Sequence, residues 1–181
     1  SRTACNNCDP GTITGTAGMP SCNKCAPGQY DAATISAPRT ACTLCANGTF
    51  MTGYAATACT ECGAGKIQAA TGQIFCVDCD PGKVQPDTGK SLCTACNPGK
   101  FSSSSGESQC SNCPAGKVKP STGQGTCVNC EEGKVQPGLG KEECTDCAAG
   151  KYSSSRTACN NCDPGTITGT AGMTECDECA P

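Results

Sequence analysis

The sequence predicts a small disulfide-rich tandem repeat, an elongated rod of short β-hairpin-like loops with little regular secondary structure and no helix. Three observations lead there. Cysteine supplies 22 of the 181 residues. Leu, Ile, Val and Phe together number only 16. Cysteines, glycines and single apolar residues recur at one period along the whole chain.

The composition sets the problem. A core this small does not offset ordering the backbone, at ~1–2 kcal/mol per residue, and without its cysteines the chain would read as disordered. Cysteine at this density marks a disulfide scaffold and an oxidising compartment, and so an extracellular or cell-surface location. There is no His or Trp and the net charge is −3. Lysines and acids are interspersed, with no basic patch and few aromatics, which argues against nucleic acid as a partner. No stretch approaches the ~20 apolar residues of a membrane span. The chain begins within a repeat and shows neither a secretory leader nor a lipid-anchor signal, and is read as a slice of a longer protein.

The cysteines form eleven C-x-x-C pairs, and eight of the ten intervals between them are 17 residues; the exceptions are 20, from Cys22 to Cys42, and 15, from Cys144 to Cys159. Three residues after the second Cys of each of the first ten pairs stands a Gly, from Gly11 to Gly165, often after Pro, as at Pro10, Pro27, Pro81, Pro98 and Pro164. That Gly suits a turn with positive φ. Two residues on comes a β-branched or aromatic residue in a very short strand, as in Lys83-Val84-Gln85. In seven repeats a second Gly follows seven after the first, from Gly18 to Gly172, and turns the chain back toward the next Cys. The apolar residue is expected to cover the disulfide. Gly and Pro interrupt every candidate helix.

A longer repeat is superimposed. Residues 1–19 and 155–173 are identical. The chain therefore reads as a continuous array of ~17-residue repeats over 1–181, with 1–154 as one higher-order block and 155–181 as the start of the next.

Translational symmetry favours bonding the second Cys of each pair to the first of the next: Cys8–Cys22, Cys25–Cys42, Cys45–Cys59, Cys62–Cys76, Cys79–Cys93, Cys96–Cys110, Cys113–Cys127, Cys130–Cys144, Cys147–Cys159 and Cys162–Cys176, with Cys5 and Cys179 left over. Each such staple would contribute ~3 kcal/mol by loop entropy. Bonding within each C-x-x-C, and bonding neighbouring pairs two by two, are the other schemes. The spacing also matches zinc sites with four Cys ligands and redox motifs. Eleven pairs do not divide into four-ligand sites, and the redox motif needs a βαβ context. No catalytic, metal or cofactor-binding residue is expected, and the chain is not read as an enzyme: no His is present to act as a base.

Surface features complete the reading. Lys66, Lys83, Lys100, Lys117, Lys134 and Lys151 follow the first Gly of their repeats. They form either a solvated edge or a stripe facing acids such as Asp78, Asp80, Glu131 and Asp146. Asn47-Gly48-Thr49 is an N-glycosylation acceptor. Ser102 to Ser105, Ser153 to Ser155, Thr12, Thr14 and Thr16 are candidates for O-linked sugars. A ligand site is sought where repeats depart from the rule: the long Cys25–Cys42 loop, and the repeat from Cys45 to Cys59 with Asn47, Phe50, Met51 and Tyr54.

The motif C-x-x-C-x-x-G-[KT]-apolar, as at Cys110 to Val118, with aromatics at Tyr30, Phe101 and Tyr152, resembles the ephrin-receptor-like Cys-rich repeats, which are related to the first module type of tumour necrosis factor receptors. Long runs of such motifs also resemble protist surface antigens and mastigoneme-type flagellar-hair proteins. The resemblance implies an extracellular Cys-rich repeat in which the Cys before the Gly bonds the Cys that closes the loop. The expected function is an extracellular structural rod, filament or surface coat, with self-association or same-family chains as partners and covalent glycans. The alternative is a receptor or adhesin ectodomain with a ligand-binding or spacer role.

Overall fold

The computed structural model describes residues 8–14, 21–32 and 40–180. Cys5, Thr16 and Gly18 lie outside the described residues. All regular structure consists of two-residue strands paired into ten antiparallel hairpins, with no helix among the described residues. In one hairpin Lys66–Ile67 pairs with Val77–Asp78, Lys66 opposite Asp78 and Ile67 opposite Val77. The first strand follows the Gly, as its β-branched residue predicts. The second strand is the pair of residues inside the next C-x-x-C.

Each hairpin opens on a tight turn. In Ala46-Asn47-Gly48-Thr49 the Thr49 N–H donates to the Ala46 carbonyl at 3.0 Å, and Gly48 has φ +81°. This is a type II turn, whose third position favours glycine and whose second favours the proline found at Pro81 or Pro98. The hairpin is closed by a backbone bond from the second Cys of the following pair to the Gly carbonyl, as from Cys62 to Gly48 at 2.8 Å.

The chain falls into two compact units, residues Ser1–Cys79 with Gln85–Cys93, and residues Asp80–Val84 with Thr94–Pro181. In the first, three kinds of backbone bond join a repeat to the next. The first Gly donates to the carbonyl three residues past the next repeat's Gly: Gly28 to Met51 at 2.8 Å, Gly48 to Gln68 at 2.7 Å. The residue three past the Gly donates to the carbonyl just after the next second Gly: Met51 to Gln73 and Gln68 to Lys90. The second Gly donates back to a cysteine carbonyl: Gly72 to Cys45 and Gly89 to Cys62. Ala55 fills that slot in its repeat, donating to Cys25 with φ 58°.

The second unit has the same ladder. Gly99 donates to Lys119, Lys119 to Lys141, and Gly140 to Cys113.

Backbones of next-but-one repeats also come into contact. A β-carbon on Gly48 would lie 2.0 Å from the carbonyl oxygen of Gly89, two repeats on; in the second unit, one on Gly99 would lie 2.2 Å from the Gly140 oxygen. Hairpins this small bring next-but-one backbones together, and only a residue without a side chain fits between them.

The buried apolar set is correspondingly spare. It comprises the second Cys of most pairs together with Val84, Val118 and Val135. The polar residues Thr14, Asp31, Gln68, Gln85, Ser102, Lys119, Ser153 and Thr168 are buried with them. All eight stand three residues after a first Gly, where the main chain is committed to the ladder.

Candidate functional site

The functional surface is built on a stapled frame. Ten disulfides run from the second Cys of one pair to the first of the next, Cys8–Cys22, Cys25–Cys42, Cys45–Cys59, Cys62–Cys76, Cys79–Cys93, Cys96–Cys110, Cys113–Cys127, Cys130–Cys144, Cys147–Cys159 and Cys162–Cys176. Their Cα separations of 5.6–5.8 Å fall at the usual disulfide spacing. Cys179 is a free, exposed thiol. Among the described residues no three His, Cys, Asp or Glu side chains cluster as metal ligands.

In seven repeats a polar side chain three past the Gly ties its loop to itself or to the preceding repeat. Gln68 donates to the Phe75 carbonyl and accepts from the Ala70 N–H; Gln85 bridges Leu92 and Asp87, and Gln136 bridges Glu143 and Gly138 in the same way. In other repeats the side chain reaches back: Lys119 Nζ donates to the Lys100 carbonyl, and the Thr168 hydroxyl donates to the Lys151 carbonyl at 3.3 Å. Lys119 is fully buried, and desolvation pushes its ammonium below the ordinary lysine range.

The lysine series divides. Lys66 pairs across its hairpin with Asp78 at 2.5 Å, and Lys134 lies 3.8 Å from both Asp146 and Glu131. Lys100, Lys117 and Lys151 stand opposite Asn112, Asn129 and Asn161, without an ion pair among the described residues. The stripe is therefore mostly a solvated edge.

The sought departures from the repeat rule are only partly surface features. Residues 33–39 of the long Cys25–Cys42 loop lie outside the described residues. In the next repeat Asn47 is exposed and Tyr54 is 69% exposed, but Phe50 and Met51 are half-buried, and Met51 belongs to the ladder. Among the O-glycan candidates, Thr14, Ser102 and Ser153 are buried, while Ser103, Ser104, Ser105, Ser154 and Ser155 are exposed.

Two further surface features are present among the described residues. Exposed apolar side chains in the first unit include Phe75 and Leu92, each just before the Cys that closes its loop, and Ile74 and Val77 close to Phe75 in sequence. A polar cleft of about 270 Å³ lies in the second unit, lined among others by Glu132, Lys134, Ser154, Arg156 and Thr174. It sits beside the shortened Cys147–Cys159 loop, whose two missing residues remove the second Gly. Arg156 compensates: its Nε donates at 2.8 Å to the Cys130 carbonyl, the acceptor that a second-Gly N–H satisfies in neighbouring repeats. The signal in the sequence was the 15-residue interval itself.

A scan against protein families matches residues 82–124 to the family described as tyrosine-protein kinase ephrin type A/B receptor-like. A search of curated proteins finds no match.

Proposed function

We propose, from a chain that carries Cys-rich ephrin-receptor-like repeats, that it is a non-enzymatic, extracellular structural array serving as part of a filament, stalk or surface coat. The observation that carries this reading is the ladder. Within each unit most repeats donate and accept backbone hydrogen bonds in one register, as Gly48 to Gln68 in the first and Gly116 to Gln136 in the second, and repeat proteins of this kind gain length by adding repeats. A solvated face of lysines and serines, glycans at Asn47 and the exposed serines, and association with like chains complete the proposal. The identity of residues 1–19 with 155–173 supports a parent chain assembled from blocks of this length.

A second reading, a receptor or adhesin ectodomain, is favoured by the family match at residues 82–124 and by the exposed apolar side chains Ile74, Phe75 and Leu92. Exposed aromatic and aliphatic side chains mark partner surfaces where they form a patch. Electron microscopy of purified native material separates the two. Long uniform filaments are expected of the array; isolated, flexible monomers would favour the ectodomain.

A further inference from the structure

The turn Ala46-Asn47-Gly48-Thr49 differs from its counterparts in the slot that precedes the Gly. Elsewhere that slot holds Pro, Ala or Glu, with Pro at Pro10, Pro27, Pro81, Pro98 and Pro164. Proline is favoured there because its ring presets φ. Asn47 gives up that advantage and places an exposed carboxamide on the turn, two residues after the disulfide-bonded Cys45. With Thr49 it completes an N-glycosylation acceptor.

In the folded array this acceptor is locked. The Gly48 N–H donates to Gln68 at 2.7 Å, and the Gly48 carbonyl accepts from Cys62 at 2.8 Å. The Thr49 N–H donates to Ala46 at 3.0 Å. The Thr49 hydroxyl, the group that makes the triplet an acceptor, donates to the same carbonyl at 2.7 Å. Gly48 is buried against Gly89. A transferase that must grip the threonine hydroxyl and draw the segment into its own active site meets a hydroxyl already donating to Ala46 and a Gly48 backbone bonded on both sides.

The geometry points to Asn47 as a modification site that accepts glycan only before the two following repeats fold against its turn. The inference rests on the extracellular reading above. The donor class is an oligosaccharide carried on a polyprenyl pyrophosphate. Asn47 Nδ2 bonds to the anomeric carbon, the carbon–oxygen bond to phosphate breaks, the pyrophosphate leaves with the electron pair, and the amide proton passes to a base of the transferase. The finished turn tolerates the product, because the Asn47 side chain is exposed. The window is short. Gly89 seals Gly48 from two repeats downstream, and at ~5–20 residues per second the chain between them is made in a few seconds. Occupancy of Asn47 is thus set by a race between transfer and folding.

The test uses the full chain, purified without glycan, in its oxidised form and after reduction and alkylation. Each is offered to an oligosaccharyltransferase with a lipid-linked oligosaccharide donor, and Asn47 is read by mass spectrometry, with Asn47→Gln and Thr49→Ala as controls. The reduced chain is expected to be modified, with loss of modification in the oxidised chain and in both controls. Equal modification of the oxidised and reduced chains would overturn the timing. Modification of neither would remove Asn47 as a site, while the array reading is decided separately by microscopy.

Discussion

The Gly89 carbonyl oxygen lies 2.0 Å from the place a β-carbon on Gly48 would occupy. Gly48 is held by two independent constraints, the positive φ of its turn and the backbone of a repeat two further along. Gly150 has a similar φ of +80°, but nothing lies within 4 Å of its β-carbon position. Alanine at Gly150 is expected to cost only the left-handed strain, about 1–2 kcal/mol. Alanine at Gly48 must also push back another strand of main chain, and its loss of stability in urea unfolding is expected to be clearly larger. Equal losses would mean that next-but-one packing contributes nothing.

Arg156 restores a hydrogen bond that the shortened loop takes away. Arg156→Ala leaves the Cys130 carbonyl without its side-chain donor, at an expected cost of about 1–3 kcal/mol. The loss should concentrate around Cys130 to Gly133 and Ser153 to Thr157, as faster amide exchange there. Unchanged exchange in those segments would show that water replaces the guanidinium.

How far the fold was readable follows from particular residues. The turn and first strand were legible because Gly48-Thr49-Phe50 and Gly82-Lys83-Val84 carry their own conformational preferences. The second strand was not: Val77-Asp78 lies between Cys76 and Cys79, and a two-residue strand has no periodicity to detect. The row from Thr14 to Thr168 was hidden for another reason. Gln68, Ser102 and Lys119 share no chemistry, and such residues read as solvent-exposed. Their backbone location buries them, through ladder bonds to repeats whose approach the local sequence does not announce. The cleft at Arg156 was signalled only by a missing pair of residues.

Lys119 gives the array a pH signature. Burial lowers its pKa in the fold relative to the unfolded chain, so the folded state binds its proton less tightly. Stability should therefore rise as pH increases from the lowered value toward the ordinary lysine range, and the cost is fully present below that window. Lys119→Met should remove this rise. The check is urea midpoints against pH, with free thiols alkylated so that disulfides do not exchange. An unchanged slope in the variant would assign the rise to other groups.

The ion pair between Lys66 and Asp78 should matter little. Both side chains are about half exposed, at 50% and 47%, and solvent screening reduces such pairs to roughly 0–1 kcal/mol. Asp78→Asn is expected to shift the urea midpoint slightly at low salt and not at all at high salt. A large, salt-independent loss would contradict the reading of the lysines as a solvated edge.

The central claim is that cysteine staples take the place of a core, with the second cysteine of each pair closing the following loop. Proteolysis of the unreduced native protein, with free thiols blocked and linked peptides identified by mass spectrometry, tests it most directly. The account predicts peptides joined through Cys62–Cys76, Cys96–Cys110 and their equivalents. Peptides joined within a pair, as Cys59 to Cys62, or a full complement of free thiols released by a metal chelator, would contradict it.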